Sequence, residues 1–324
     1  MKHRLSIVAV LFATAASAVL PARAQEGFPN KPIRLIIPTS PGGGSDIMGR
    51  QIAAILSNNL GQPVVVDNRP GATGAVGLNA TRNAAPDGYT IAFTNVSQVV
   101  HAPLLSSPPP FDPVRDLDAV QMTYNTLLAL NAQASQPYRT LKELIDYARA
   151  NPGKINYASA GTGTVAHLWM EFLKKRHNIQ MTHIPYKGSG PAWQALVAGE
   201  VNLNVAETVT MGSIAGAPTR VLVQFGEQRS PRLPNVQTLR EAGFAEMRTD
   251  FWLGFVTAKG TPAPILKKLN DEINKAMATP QMRDRVASAG GDLVNTDSAG
   301  AAAIIANDYK TWVPIIKELG IKAE

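Results

Sequence analysis

Two stretches of this chain combine glycine with serine and threonine in an order that suits anion binding. In the first, Ile33 to Arg50, an apolar run reaches Ser40-Pro41-Gly42-Gly43-Gly44-Ser45-Asp46 and passes into an amphipathic segment. In the second, Ile155 to Phe172, an apolar run reaches Ser159-Ala160-Gly161-Thr162-Gly163-Thr164. Val165, Leu168, Trp169 and Phe172 then recur at helical spacing. A strand that turns through glycine into a helix leaves free N–H groups at the helix N-terminus, where the macrodipole adds about half a positive charge. Glycine lets an anion approach the backbone closely, and Ser45 can cap the helix or donate its hydroxyl. A tight turn with no ligand uses the same residues, so the loops alone leave both readings open.

Nucleotide phosphates fit poorly. Gly44-Ser45-Asp46 stands where a Walker loop needs Gly-Lys-Ser/Thr, and Asp46 repels a polyphosphate. The G-x-G-x-x-G spacing fails after Gly44, with Gly49 out of register. A carboxylate is the better guest. Catalytic motifs are missing too: Ser189, in Lys187-Gly188-Ser189-Gly190, lacks the spacing of a nucleophile elbow. His3, His101, His167, His177 and His183 form no H-E-x-x-H pattern, and His167 with Glu171 one turn later is too few groups for a metal. The chain has no cysteine, which removes disulfides and thiolate sites. Hydrolase and metalloenzyme chemistry therefore find no support, and no catalytic residue, metal or cofactor is expected.

The elements that must position these loops follow from periodicity. Short β-branched runs alternate with helical patterns, which predicts an α/β class of parallel sheets with helices on both faces. The strands expected are Ile33 to Pro38, Pro63 to Asp67, Thr90 to Thr94, Ala119 to Met122, Leu127 to Asn131, Ile155 to Ala158, Thr182 to Ile184, Val201 to Val205, Arg220 to Phe225 and Trp252 to Val256. A helix over Asp46 to Leu60 presents Met48, Ile52, Ile55 and Leu56 on one face and stops at Gly61. The Pro-rich passage Ser106 to Pro113 and the run Arg229 to Pro234 read as crossings between two lobes. Residues 25–118 and 229–324 are expected to form a first α/β lobe and residues 119–228 an inserted second lobe, with the ligand cleft between them. Two connecting segments suit hinge closure. Both glycine loops lie at the carboxyl ends of strands, where ligands of open α/β sheets bind, and could face each other across the cleft.

At the N-terminus Lys2 and Arg4 precede an apolar run from Leu5 to Leu20, followed by Ala22-Arg23-Ala24. This is the layout of a secretory signal over residues 1–24, too short to span a membrane, with cleavage before Gln25. The formal net charge is +7, and Lys2, Arg4 and Arg23 lie in the leader with no acid, leaving +4 on the mature chain. Scattered basic residues with so mild a bias favour small anions over nucleic acid. An exported compartment, most simply a periplasm, is the expected location.

A set of longer motifs then carries a family resemblance. Pro29-x-Lys31-Pro32-Ile33, Pro41-Gly42-Gly43-Gly44-Ser45-Asp46, Gly61-Gln62-Pro63-Val64-Val65-Val66-x-Asn68-Arg69-Pro70-Gly71-Ala72 and Ala85-Pro86-Asp87-Gly88-Tyr89-Thr90 occur in order. Leu141-Lys142-Glu143-Leu144, Asn151-Pro152-Gly153-Lys154, the second glycine loop through His167-Leu168, Pro185-Tyr186-Lys187-Gly188 and Glu241-Ala242-Gly243 continue the match. The chain resembles the Bug or TctC-like solute-binding proteins of tripartite tricarboxylate transporters over essentially all of its mature length. The resemblance implies a two-lobed, type II-like periplasmic-binding-protein fold that captures a di- or tricarboxylate, an acidic amino acid or an aromatic acid. It implies membrane permease subunits as partners and a monomeric receptor; a ligand-loaded co-receptor for a periplasmic sensor kinase is the alternative. Carried over by position, it points to Ser40, Gly42, Gly43, Gly44, Ser45 and Asp46 in one lobe and Ser159, Gly161, Thr162, Gly163 and Thr164 in the other. Thr39, Asn202 and Gln224 to Arg229 depart from the family pattern, so ligand identity does not carry over.

Further candidates come from position along the chain. Ser97, with Asn95 and His101, follows the third strand, and Tyr186 and Gly188 follow another. Glu207 lies in a loop that is mostly apolar or small in the family, and either accepts a hydrogen bond from a ligand ammonium or hydroxyl or is a solvated acid. Lys187 either follows Tyr186 toward the ligand or projects to solvent. Gly71, Gly74 and Gly77 read as packing glycines, and Trp169 and Trp193 as core anchors.

Overall fold

The computed structural model describes residues 27–212, 216–226, 228–244 and 251–322. The expected export signal, residues 1–24, lies outside the described residues. The first sheet is built from β1 (Ile33–Ile37), β2 (Val64–Asn68), β3 (Thr90–Asn95) and β4 (Leu117–Asn125), with α1 (Gly44–Leu60), α2 (Ala75–Arg82) and α3 (Ala102–Leu105) between them. The second contains β5 (Leu128–Gln133), β6 (Ile155–Ser159), β7 (Met181–Pro185), β8 (Leu203–Glu207) and β9 (Thr219–Phe225). Its helices are α4 (Leu141–Ala150), α5 (Val165–His177), α6 (Ser189–Ala198) and α7 (Thr208–Met211). The chain then returns through β10 (Trp252–Ala258), α8 (Ala263–Ala278), α9 (Pro280–Ser288), β11 (Asp292–Leu293) and α10 (Ser298–Leu319).

The six-stranded sheet has the order β11-β4-β10-β3-β1-β2, and the five-stranded sheet β7-β6-β8-β5-β9. All ten expected strands form, to within a few residues at their ends, and β11 is an additional two-residue strand. The sheets are mixed rather than parallel. β1 runs parallel to β2 and β3, but β10 is antiparallel to β3 and β4. β6 runs parallel to β7 and β8, whereas β5 is antiparallel to β8 and β9. Helices cover both faces in either case, so the apolar pattern of a strand does not reveal its direction.

The lobe boundary also moves. The expectation placed it at residue 118, after a Pro-rich crossing, but β4 pairs with β10 and β11 in the first sheet, so residues 119–125 belong to that lobe. Ser106 to Pro113 joins α3 to β4 within one lobe. The change of sheet occurs between Asn125 and Leu128, where the Thr126 N–H donates to the Phe251 carbonyl at 2.9 Å and ties the outgoing and returning segments together.

Local chemistry accounts for the elements behind the site. In β1, Ile33, Leu35, Ile36 and Ile37 are fully buried, as a central parallel strand requires. α1 buries Met48, Ile52 and Leu56 and ends at Gly61, whose φ of 65° closes the helix in the left-handed region. Thr140 and Glu143 cap α4 reciprocally, Thr140 Oγ1 accepting from the Glu143 N–H at 3.2 Å and Glu143 Oε2 from the Arg139 N–H at 2.7 Å. Behind the second glycine loop, the buried Trp169 of α5 packs against Phe225 and Phe244 at centroid distances of 4.8 and 6.2 Å. Its Nε1 is buried without a partner. Trp169→Ala should therefore cost about 3–5 kcal/mol in chemical denaturation. Trp169→Phe, which removes the unpaired donor and keeps most of the packing, should cost less than half of that.

Candidate ligand-binding site

A cavity of about 380 Å³ lies where the carboxyl ends of the parallel strands of both sheets meet. The first lobe contributes Pro38 and Thr39 after β1, Gly71 to Gly74 between β2 and α2, and Asn95, Ser97 and Gln98 after β3. α3 adds Ala102, Leu105 and Ser106. The second lobe contributes Ala160, Gly161, Thr162 and Thr164 between β6 and α5, and Pro185 to Gly188 between β7 and α6. Among the described residues, Lys187 is the only charged side chain in this lining, and it is solvent-exposed.

The polar groups of the wall are fixed by one another. Thr94 Oγ1 donates to Gln98 Oε1 at 2.8 Å, Gln98 Nε2 donates to the Pro38 carbonyl at 3.2 Å, and Asn95 Oδ1 accepts the Gln98 N–H at 3.2 Å. Ser97 begins a single π-helical turn, Ser97–His101, a rare geometry that recurs at functional sites. Gly71-Ala72-Thr73-Gly74 is more unusual: Ala72 and Thr73 both have positive φ, 44° and 51°. Consecutive non-glycine residues in this region carry backbone strain, which surrounding contacts must hold. One of those contacts crosses the cleft, since Thr73 Oγ1 donates to the Thr162 carbonyl at 2.5 Å.

Other bonds also join the lobes directly. The Val165 N–H, an otherwise unpaired donor in the first turn of α5, donates to Ser97 Oγ at 3.1 Å. The Ser40 N–H donates to the Lys187 carbonyl at 3.1 Å, and the Gly44 N–H to Thr210 Oγ1 at 2.8 Å. His101 Nδ1 lies 3.2 Å from the Gly163 carbonyl and must be the donor, because a carbonyl only accepts. The lobes are therefore closed on each other.

The structure brings Ser97, Gly161, Thr162, Thr164, Tyr186 and Gly188 together in the cavity wall, as the expected cleft requires. It places the other candidates elsewhere. Gly42 and Gly43 pack against the start of α6, where a Cβ on Gly190 would sit 2.9 Å from the Gly43 nitrogen. Ser40 serves through its backbone, and Ser45 is buried. Asp46 is a brace: its carboxylate accepts from the Gly42 N–H at 3.0 Å, Arg50 Nε at 3.0 Å and Asn68 Nδ2 at 2.9 Å. Burial alone would raise this carboxyl, but Arg50, Gly42 and Asn68 together hold it below the usual carboxylate range. The first glycine loop is thus a contact surface between the lobes, not the cavity wall.

Ser159 and Gly163 lie under the second loop. Ser159 Oγ donates to the Gly161 carbonyl at 2.9 Å and meets His183 Nε2 at 2.7 Å, while the Gly163 N–H donates to His167 Nδ1 at 2.9 Å. The rings of His167 and His183 stack at 3.9 Å. Burial lowers His167 to about 4 and His183 to about 3, so both stay neutral at pH 7, and an unprotonated Nδ1 is what the Gly163 N–H needs. Glu207 is neither a solvated acid nor a lining residue; it is buried behind Gly44.

Thr39, Gly71 to Gly74, Gln98, Ala102, Leu105, Ser106, Ala160 and Pro185 line the cavity without having been singled out for ligand contact. Gly71-Ala72-Thr73-Gly74 repeats the strand–glycine–helix order of the other two loops, and that order is the signal that could have found it.

The chain matches the tripartite tricarboxylate transporter family receptor over residues 48–321. It belongs to that family. A Cupriavidus necator protein from the gbd 5′ region is 38% identical over 99% of this chain and 98% of its own, and BugT of Bordetella pertussis is 33% identical over 99% of each. Among solved structures, the periplasmic binding protein BugD superposes with a TM-score of 0.87 at 27% identity, covering 92% of this chain and all of that one. An R. palustris protein with adipate gives 0.86 at 26% identity over 91% and 99%. MatC of Rhodopseudomonas palustris with bound malate gives 0.84 at 27% identity over 89% and 100%. The family is one of solute receptors, and this receptor is a binding protein rather than an enzyme. Among the described residues, no group of three or more ionisable side chains could hold a metal, and no helix is long and apolar enough to cross a membrane.

The lobe contact makes a pH prediction. His101 is fully buried against Trp312, and burial lowers it to about 3 from an ordinary 6.5. A base depressed by folding stabilises the native state above its unfolded pKa and loses that contribution as pH falls. His101 should therefore cost about 2 kcal/mol on going from pH 7 to pH 5. Denaturation of the wild type should show a loss larger by that amount than His101→Gln shows over the same interval.

Proposed function

We propose that this receptor captures a small organic carboxylate between its lobes in an exported compartment and presents it to the permease subunits of a tripartite transporter. The observation that carries the reading is the interlobe cavity itself. It is built from glycine turns of both lobes, neutral hydroxyls and amides, and Lys187 as the only charged lining side chain among the described residues. A neutral polar wall with a single cation suits an organic anion held by N–H groups and hydroxyls. The apolar surfaces of Pro38, Ala102, Leu105 and Tyr186 would cover its carbon skeleton. The adipate and malate held by two structural neighbours are acids of a size that this volume admits.

On this reading Ser97, Gly161, Thr162, Thr164, Tyr186 and Gly188 contact the ligand, joined by Thr39, Thr73, Asn95 and Lys187. The segments at Thr126 and Phe251 act as the hinge, and the ligand favours closure because only the closed form offers donors from both lobes. Ser40 to Gly44 then serve closure rather than the ligand. A leader over residues 1–24 supplies export.

A thermal-shift screen of ligand-stripped protein against carboxylates, with matched amides and sugars, tests the reading. An acid at 100 times its dissociation constant should add about 2.7 kcal/mol of stability, and the amides should add none. A shift with an amide alone, or no shift with any acid, overturns it. Ser97→Ala, which leaves the Val165 N–H without its acceptor in the closed form, should weaken binding of the active acid about tenfold with little change in the ligand-free midpoint.

A further inference from the structure

Glu207 is a buried ionisable group that the cavity does not use. It ends β8 and precedes α7, both in the second lobe, and it is 5% exposed. Its Oε2 has no hydrogen-bond partner. A buried carboxyl oxygen left unpaired is costly and calls for an explanation. Its neighbour across the lobe contact is Gly44, the first residue of α1. A Cβ there would overlap Glu207 Oε2 and lie 3.2 Å from Thr210 Oγ1, so the two lobes enclose the carboxyl between them. The Gly44 N–H is already engaged by Thr210.

We propose that Glu207 is a proton-dependent latch: the closed lobes bury it protonated, and loss of that proton favours opening. When α1 parts from α6 and α7, the carboxyl meets water and ionises as an ordinary glutamate. Closure then dehydrates it, and among the described residues no cation pairs with it. Among the described residues, the ionisable groups on the surrounding elements include Asp46 and Arg50 of α1, Tyr124 of β4, His167 and Glu171 of α5, Arg283, Asp284 and Arg285 of α9, and Lys187 before α6. Asp46 and Arg50 pair with each other at 3.0 Å. Tyr124 is fully buried with its hydroxyl unpartnered, and burial, aided by the Glu207 charge, raises its phenol while Arg285 opposes. The Lys187 side chain is exposed. Burial pushes the Glu207 carboxyl to about 7 from an ordinary 4.5. An acid raised by closure stabilises the closed form at low pH, and that contribution is lost as pH rises through the raised value.

The latch concerns closure and is independent of which acid binds, so two readouts separate it from the ligand assignment. With malate and adipate as probes, both predominantly dianionic at pH 6 and above, affinity should be about tenfold weaker at pH 8.5 than at pH 6. Glu207→Gln, which keeps the shape and removes the titration, should bind with equal affinity at both values. In the closed form burial holds His101 and His183 at about 3 and His167 at about 4, below this window. The second readout needs no ligand: the chain has no cysteine, so spin labels on Asn58→Cys and Gln194→Cys, exposed positions on α1 and α6, report the interlobe distance. The closed fraction should be larger at pH 6 than at pH 8.5 in the labelled wild type and unchanged in labelled Glu207→Gln. A wild-type closed fraction that does not respond to pH, or a response that persists in Glu207→Gln, overturns the latch. Failure of both acids to bind counts against those acids as ligands, and the distance measurement still decides the latch.

Discussion

Direct backbone contact between turns of the two lobes is the interaction on which the closed arrangement depends. The Ser40 N–H reaches the Lys187 carbonyl, and Gly190 meets the Gly42–Gly43 peptide with no space for a side chain between them. Gly163 is pressed against Leu105 in the same way. Such proximity requires glycine on steric grounds, before any ligand is considered. It also brings five turns, those after β1, β2, β3, β6 and β7, around one cleft, whose walls carry hydroxyls and amides.

That constraint explains which parts of the site could be read from residue order. The ten strands are legible because runs such as Ile33 to Ile37, between Pro32 and Pro38, are mostly apolar and β-branched. Their directions are not, because helices cover both faces of both sheets. The boundary is not legible because Ser106 to Pro113 carries the strongest break signal, whereas the change of sheet takes two residues, Thr126 and Leu127, with no proline or glycine. The second glycine loop lines the cavity through Gly161, Thr162 and Thr164. The first loop looks the same in sequence, yet it meets α6 and α7, because its partner is set by how the lobes come together and not by its own residues. Thr73 carries no signal in residue order, because its role comes from a positive φ and a bond to Thr162, neither of which has a linear signature.

The chemistry of the lobe contact is almost entirely neutral, and this bears on how a receptor can open again. Hydrogen bonds such as Ser97 to Val165 and Thr73 to Thr162 each contribute only about 0.5–1.5 kcal/mol net, because water replaces them when they break. A buried ion pair would have to be dehydrated at every closure and rehydrated at every opening, at several kcal/mol per charge. Among the described residues, an ion pair that spans the lobes, Lys175 of α5 with Glu318 of α10, lies on the exposed surface where such pairs are weak. Within the contact, His101 is kept neutral by burial and Asp46 is neutralised within its own lobe by Arg50. Glu207 is the group that breaks this pattern unless it is protonated, and its environment raises its carboxyl in the direction that restores neutrality. An interface of many weak neutral bonds can be shifted by the modest differential affinity of a small acid, which is the energetic condition for a receptor that must both close on its ligand and release it.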